Sequence, residues 1–238
     1  MKLVVFDLDG TLTSTSAVDE TCFVQAFADS LNIHQLSTNW LDYDHATDTA
    51  VARQAFLKQF GREPESTEIL KVVERFVELL SRHHDSDSAL FAEIPGASAF
   101  LTELHENAEW GIALATGGWK RSAEFKIRAA GLPLFNSPAA FAEDGPSREA
   151  IVQTAIDRAS AWYQCREFER IVSVGDAIWD IKTARQLKLP FLGVADEPRA
   201  TLLRENGARH VVENFLDLAQ CLRWLDDAIV PMPLRYEQ

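Results

Sequence analysis

Leu3-Val4-Val5-Phe6 runs without a break into Asp7-Leu8-Asp9-Gly10-Thr11-Leu12, and that junction limits what the chain can become. A short run of branched and aromatic residues, cut off by acid and then by glycine, reads as a buried strand ending in a tight loop. Strands buried on both faces belong to parallel sheets, whose chemistry gathers at the strand ends. Side chains alternate along extended backbone, so Asp7 and Asp9 aim two carboxylates into one small volume. A divalent cation between them, or a proton on one of them, relieves the repulsion, and either is useful in catalysis. A plain polar turn uses the same residue types, so the rest of the chain has to decide.

Between residues 14 and 89 the pattern is helical throughout. Val18, Cys22, Phe23, Ala26, Phe27 and Leu31 recur at helical spacing, with Ser16 as the expected N-cap. A second helix takes Val51, Ala55, Phe56 and Phe60 and stops at Gly61; a third takes Ile69, Val72, Val73, Phe76, Val77 and Leu80. The polar stretch Ser81–Ser88 closes the segment. Past Pro95-Gly96, strands at 112–115, 139–141, 171–174, 191–194 and 211–212 alternate with helices, the last of them over Phe215–Ala228. The expectation is a Rossmann-like, doubly wound α/β core over 1–13 and 90–238 with an inserted α-helical domain over 14–89. Residues from Pro231 onward are expected to form a loose tail.

Charge and cysteine usage exclude several classes of function. A net charge of -13 with no basic run argues against nucleic acid or an anionic membrane as partner. Cys22, Cys165 and Cys221 are too far apart for a zinc site and odd in number for a disulfide framework, so reduced thiols are expected. The N-terminal apolar run meets acid too early to be a secretory segment, and no later stretch is long enough to span a bilayer. A cytoplasmic protein is expected, acting as a monomer or homodimer.

Two further segments carry chemistry. In Leu114-Ala115-Thr116-Gly117-Gly118 a hydroxyl at a strand end precedes two glycines and a helix start, which offers an OH and unpaired amides to an anion. In Val174-Gly175-Asp176-Ala177-Ile178-Trp179-Asp180 two acids one helical turn apart at a strand-to-helix junction can both face an ion. A helix cap and a pair of acids complementing a helix dipole are the plainer readings of each.

Taken in order, these three segments resemble the motifs of the haloacid dehalogenase superfamily, in its phosphatase branch. The resemblance implies that Asp7 attacks phosphorus to form an aspartyl phosphate and that Asp9 protonates the leaving oxygen and then activates water. It implies phosphate binding by Thr116 and Gly117, and Mg2+ held by Asp7, the main-chain carbonyl of Asp9, Asp176 and Asp180. The family's charge-compensating lysine corresponds to Arg148, after Gly145-Pro146-Ser147, with Lys120 and Arg121 as alternatives. The helical insert corresponds to the family's cap, which excludes water and selects substrate. Within it the loop Asp42–Thr49 is the segment expected to reach the site, and His45, Thr49 and, beyond it, Trp119 are the candidates for substrate contact. The implied activity is Mg2+-dependent hydrolysis of a small phosphorylated metabolite, phosphoglycolate phosphatase-like. A phosphomutase of the same superfamily is one alternative. A phosphorelay receiver is the other, although a receiver needs neither the insert nor Asp9 as an acid.

Overall fold

The structure is a computed structural model that describes residues 1–232. Among these, six parallel strands form one sheet: β1 (Lys2–Phe6), β2 (Trp110–Ala115), β3 (Ala139–Ala140), β4 (Ile171–Gly175), β5 (Phe191–Val194) and β6 (His210–Val212). Their spatial order is β3-β2-β1-β4-β5-β6. The first strand therefore lies in the middle, with Phe6 opposite Leu114 on one side and Val174 on the other. The chain winds outward from β1 to β3, then crosses back to β4, so the carboxyl ends of β1, β2 and β4 meet at the switch point where such sheets bind ligands.

Alternation along the strands sorts the core into two layers. Leu3, Val5, Ala113 and Ala115 face α6 (Arg148–Trp162) through Ile151, Val152, Ala155 and Ala159. Val4, Phe6, Ile112, Leu114, Val172 and Val174 face α4 (Ala97–Glu106) and, further along the chain, the helix at Leu218–Asp227. Phe6 sits edge-on to both Phe100 and Phe215, whose rings stack 5.1 Å apart. That burial keeps Phe215 out of the final helix, which starts later than its apolar pattern suggests because Asp217 caps it through Gln220 N–H. The tail expected from Pro231 onward lies mostly outside the described residues.

The insert consists of α1 (Ser16–Leu31), α2 (Asp48–Phe60) and α3 (Ser66–Ser86) around a separate apolar cluster that includes Phe23, Phe27 and Phe76 among its buried aromatics. Helix α3 continues through most of the polar stretch expected to close the insert. That stretch holds no glycine or proline to stop it, and its side chains are largely exposed. Thr15, rather than Ser16, stands at the N-cap of α1, and its hydroxyl makes no capping bond because it is committed to Asp9. The remaining helices, α5 (Lys120–Ala129), α7 (Ile178–Gln186), α8 (Arg199–Glu205) and α9 (Leu218–Asp227), follow the alternation expected of a doubly wound sheet. Among the described residues no helix is long and apolar enough to cross a membrane.

Candidate active site

A cavity of about 550 Å³ opens over the ends of β1, β2 and β4, with α1, the loop before α2 and the start of α2 as its opposite wall. Asp7, Asp9, Thr116, Gly117, Arg148 and Asp176 all line it. The four sequence segments that stood far apart along the chain thus converge on one place, as parallel strand ends must at a switch point.

Asp7, Asp176 and Asp180 each direct a carboxylate oxygen to a common point, with these atoms within 4.8 Å of one another. Burial pushes the Asp7 carboxyl up to about 7, and repulsion from Asp180 adds to the rise against the pull of Arg148. Burial, Asp180 and Asp7 likewise push Asp176 well above the usual carboxylate range. Three carboxylates so placed make an oxygen-only nest, the donor set that suits a hard divalent cation such as Mg2+. Gly10 makes the nest possible: its φ of +83° is left-handed, and a Cβ there would lie 2.2 Å from Asp176 Oδ2.

Arg148 supplies the positive charge. Its Nη2 donates to Asp7 Oδ1 and to Asp180 Oδ1, both at 2.7 Å, and its Nη1 donates to the carbonyl of Ala46 in the insert at 3.2 Å. Burial alone would lower its pKa, but Asp180 and Asp7 together raise it above the ordinary guanidinium value. The alternatives Lys120 and Arg121 sit on the surface, paired with Glu124 and Glu74. Gly117 leaves room for this bridge, since a Cβ there would lie 2.5 Å from Arg148 Nη1. Thr116 is buried, and its Oγ1 accepts from Gly118 N–H at 3.1 Å, which shapes the glycine turn beside the acids.

Asp9 is held differently. Its carboxylate lies outside the three-acid cluster, accepting from Lys126 Nζ and from the Thr15 hydroxyl, each at 2.5 Å. Lys126 was not singled out from the sequence, because it lies among Lys120, Arg121 and Arg128 in a helix that looks solvated. The available signal was its face: Ser122, Ala123 and Lys126 share the helical spacing of the buried stripe of α5.

The substrate-contact candidates fare poorly. His45 is exposed and away from the cavity lining, and Thr49 accepts a hydrogen bond from Trp119 Nε1 at 3.1 Å instead of facing the cavity. Trp119 is buried in the apolar cluster of the insert, 5.5 Å from Phe23 and stacked at 6.5 Å on Phe27. Each was chosen by residue type, whereas the loop reaches the site through its backbone and its end. Asp48 N–H donates to the Gly117 carbonyl at 2.8 Å, and Ala46, Thr47 and Asp48 line the cavity. Trp40, Asp19, Glu20 and Arg199 also stand in the wall, and no motif in the sequence marks them.

A family model described as haloacid dehalogenase-like hydrolase matches residues 1–188. No curated protein matches. Among solved structures, a hydrolase from Pseudomonas syringae is 23% identical and superposes with a TM-score of 0.66 over 94% of this chain and 98% of that one. A protein described as a predicted phosphoglycolate phosphatase from Haemophilus somnus is 19% identical, with a TM-score of 0.59 over 93% and 98% of the two chains. CbbY from Rhodobacter sphaeroides, solved in complex with phosphate, is 20% identical, with a TM-score of 0.58 over 91% and 95%. At these identities the structural likeness speaks for the fold.

Proposed function

Because this chain belongs to the haloacid dehalogenase-like hydrolase family, we propose that it is a Mg2+-dependent phosphatase that cleaves a small-molecule phosphate monoester through an aspartyl-phosphate intermediate. The observation that carries this reading is the trio of Asp7, Asp176 and Asp180 beside the Thr116 turn, with Arg148 bridging Asp7 and Asp180 and Arg199 reaching Asp176. Asp7 is the nucleophile: a carboxylate is adequate once the phosphoryl group is held in line and its charge is offset. Thr116 and the amides of the glycine turn receive the phosphate oxygens, and Arg148 offsets charge shared between nucleophile and phosphate.

Asp9 gives its proton to the leaving oxygen as the ester P–O bond breaks and the bond from Asp7 to phosphorus forms. It takes a proton back from the water that cleaves the intermediate. Mg2+, held by Asp7, Asp176 and Asp180 with the Asp9 carbonyl, would supply Lewis-acid compensation for phosphoryl charge.

The helical insert acts as the cap. Its share of the cavity wall includes Asp19, Glu20 and Asp48 beside Trp40 and Leu41 and contributes no cation. A neutral alcohol as leaving group fits that wall better than the carboxylate of phosphoglycolate. A receiver role falls away with the family assignment. Hydrolysis and mutase transfer separate in one assay: with Mg2+, the chain releases inorganic phosphate from an aryl phosphate, and Asp7→Asn abolishes release. Absence of release by the wild type with Mg2+, or undiminished release by Asp7→Asn, overturns the reading; a panel of phosphorylated metabolites then ranks leaving groups.

A further inference from the structure

Lys126 is the only lysine among the described residues with no exposed surface, and its ammonium lies between the two halves of the molecule. From the core helix α5 it donates at 2.5 Å both to Asp9 Oδ2, beyond β1, and to Asp19 Oδ1, on the first turn of α1 in the insert. Burial would lower its pKa, but Asp19 and Asp9 overcome that and raise it. Asp48 lies in the same field, and its Oδ2 accepts from Trp119 N–H at 2.8 Å. Gly118 lies beside the ammonium, where a Cβ would stand 3.8 Å from Nζ.

This arrangement answers a question that the first motif poses. Asp7 and Asp9 leave the strand on the same side, beside a nest that collects carboxylates, yet only Asp7 joins it. Asp9 is drawn the other way, with one oxygen on Lys126 and the other on Thr15, and so borders the cavity on the side of the insert. On the function proposed above, that is where the leaving group must lie. We propose that Lys126 is a positioning residue: its buried ammonium keeps Asp9 out of the cation nest and holds it toward the leaving oxygen, with Asp19 tying that geometry to the insert. Without it, the Asp9 side chain turns to the nest as a fourth acid, and the proton it takes from the attacking water in one half-reaction no longer reaches the leaving oxygen as the P–O bond breaks in the next.

Leaving-group dependence tests this, because 4-nitrophenolate departs without a proton and a simple alkoxide does not. In Lys126→Met, kcat/KM for an alkyl phosphate should fall by roughly 100-fold or more, the usual worth of a positioned acid, while that for 4-nitrophenyl phosphate changes several-fold at most. Dephosphorylation also needs Asp9, so the variant should show a burst of nitrophenolate followed by slow turnover. Lys126→Met/Asp19→Asn, which removes one of the acids left without a counter-charge, keeps the test open if the single variant does not fold. It should show the same split.

Equal losses on both substrates, or no loss on either, in a folded variant would overturn the proposal. A wild type that releases phosphate from neither substrate would instead overturn the phosphatase reading on which the proposal rests, and the two failures are distinct.

Discussion

Replacing Arg148 with methionine removes the cation between Asp7 and Asp180 and leaves an unbranched side chain in its place. The side chain of Arg148 is 12% exposed and those of Asp7 and Asp180 are 10% and 6%, so the cluster counts as buried. Taking one partner from such a cluster costs about 3–5 kcal/mol, because the charges left behind have lost both water and counter-ion. In a chain of this length about 1 kcal/mol moves the melting temperature by roughly 2–4 °C, so in chelator the variant should melt roughly 6–20 °C below the wild type. Mg2+ should then recover more for the variant than for the parent, since Asp7 and Asp180 without the guanidinium between them attract a dication more strongly. An ion at about 100 times its dissociation constant returns about 2.7 kcal/mol.

Turnover should move the other way, down by roughly 100-fold or more, because a preorganised charge facing the phosphoryl group is gone. Thermal melts of both proteins in chelator and in saturating Mg2+, read beside phosphate release, make the assay. Identical melting in chelator, or a larger gain from Mg2+ in the wild type, would refute the assignment of Arg148 as the compensating cation.

The raised Asp7 carboxyl makes a pH prediction whose sign is set by which state holds more protons. Folded Asp7 titrates near about 7, well above an unfolded aspartate at about 3.9, so its contribution to stability is complete at low pH and is lost as pH rises through the folded value. In chelator, Asp7→Asn should therefore gain stability over the wild type between about pH 5 and 8, by on the order of 3 kcal/mol, and a gap independent of pH would contradict this. Gly10→Ala forces a left-handed φ on alanine and drives a methyl into Asp176. It should cost about 1–2 kcal/mol for the backbone and on the order of 100-fold in turnover for the displaced acid, and full activity would show that Asp176 tolerates the shift.

What the sequence disclosed and what it hid divide along a physical line. Asp7 with Asp9, Asp176 with Asp180, and the Thr116 turn are each set by local spacing at a strand end, and local spacing is what a sequence displays. The alternation of strand and helix past Gly96 was legible for the same reason. The partners of those groups were not. Lys126 meets Asp9 across 117 positions and Arg148 meets Asp7 across 141, and only the winding of the sheet brings them together. Arg148 could be placed through a resemblance, whereas Lys126 had none to invoke and resembled its exposed neighbours. Thr15 directly precedes the expected cap Ser16, yet its hydroxyl donates to Asp9. His45 is exposed and outside the cavity lining, in a loop that reaches the core through the Ala46 carbonyl and the Asp48 N–H.

The indole that follows the glycine turn is rooted among Phe23, Phe27 and Phe76, and its amide and ring nitrogens are tethered to Asp48 and Thr49. The helices above the sheet therefore cannot lift away and leave the anion seat undisturbed: uncovering the site by that motion and dismantling the seat would be a single event.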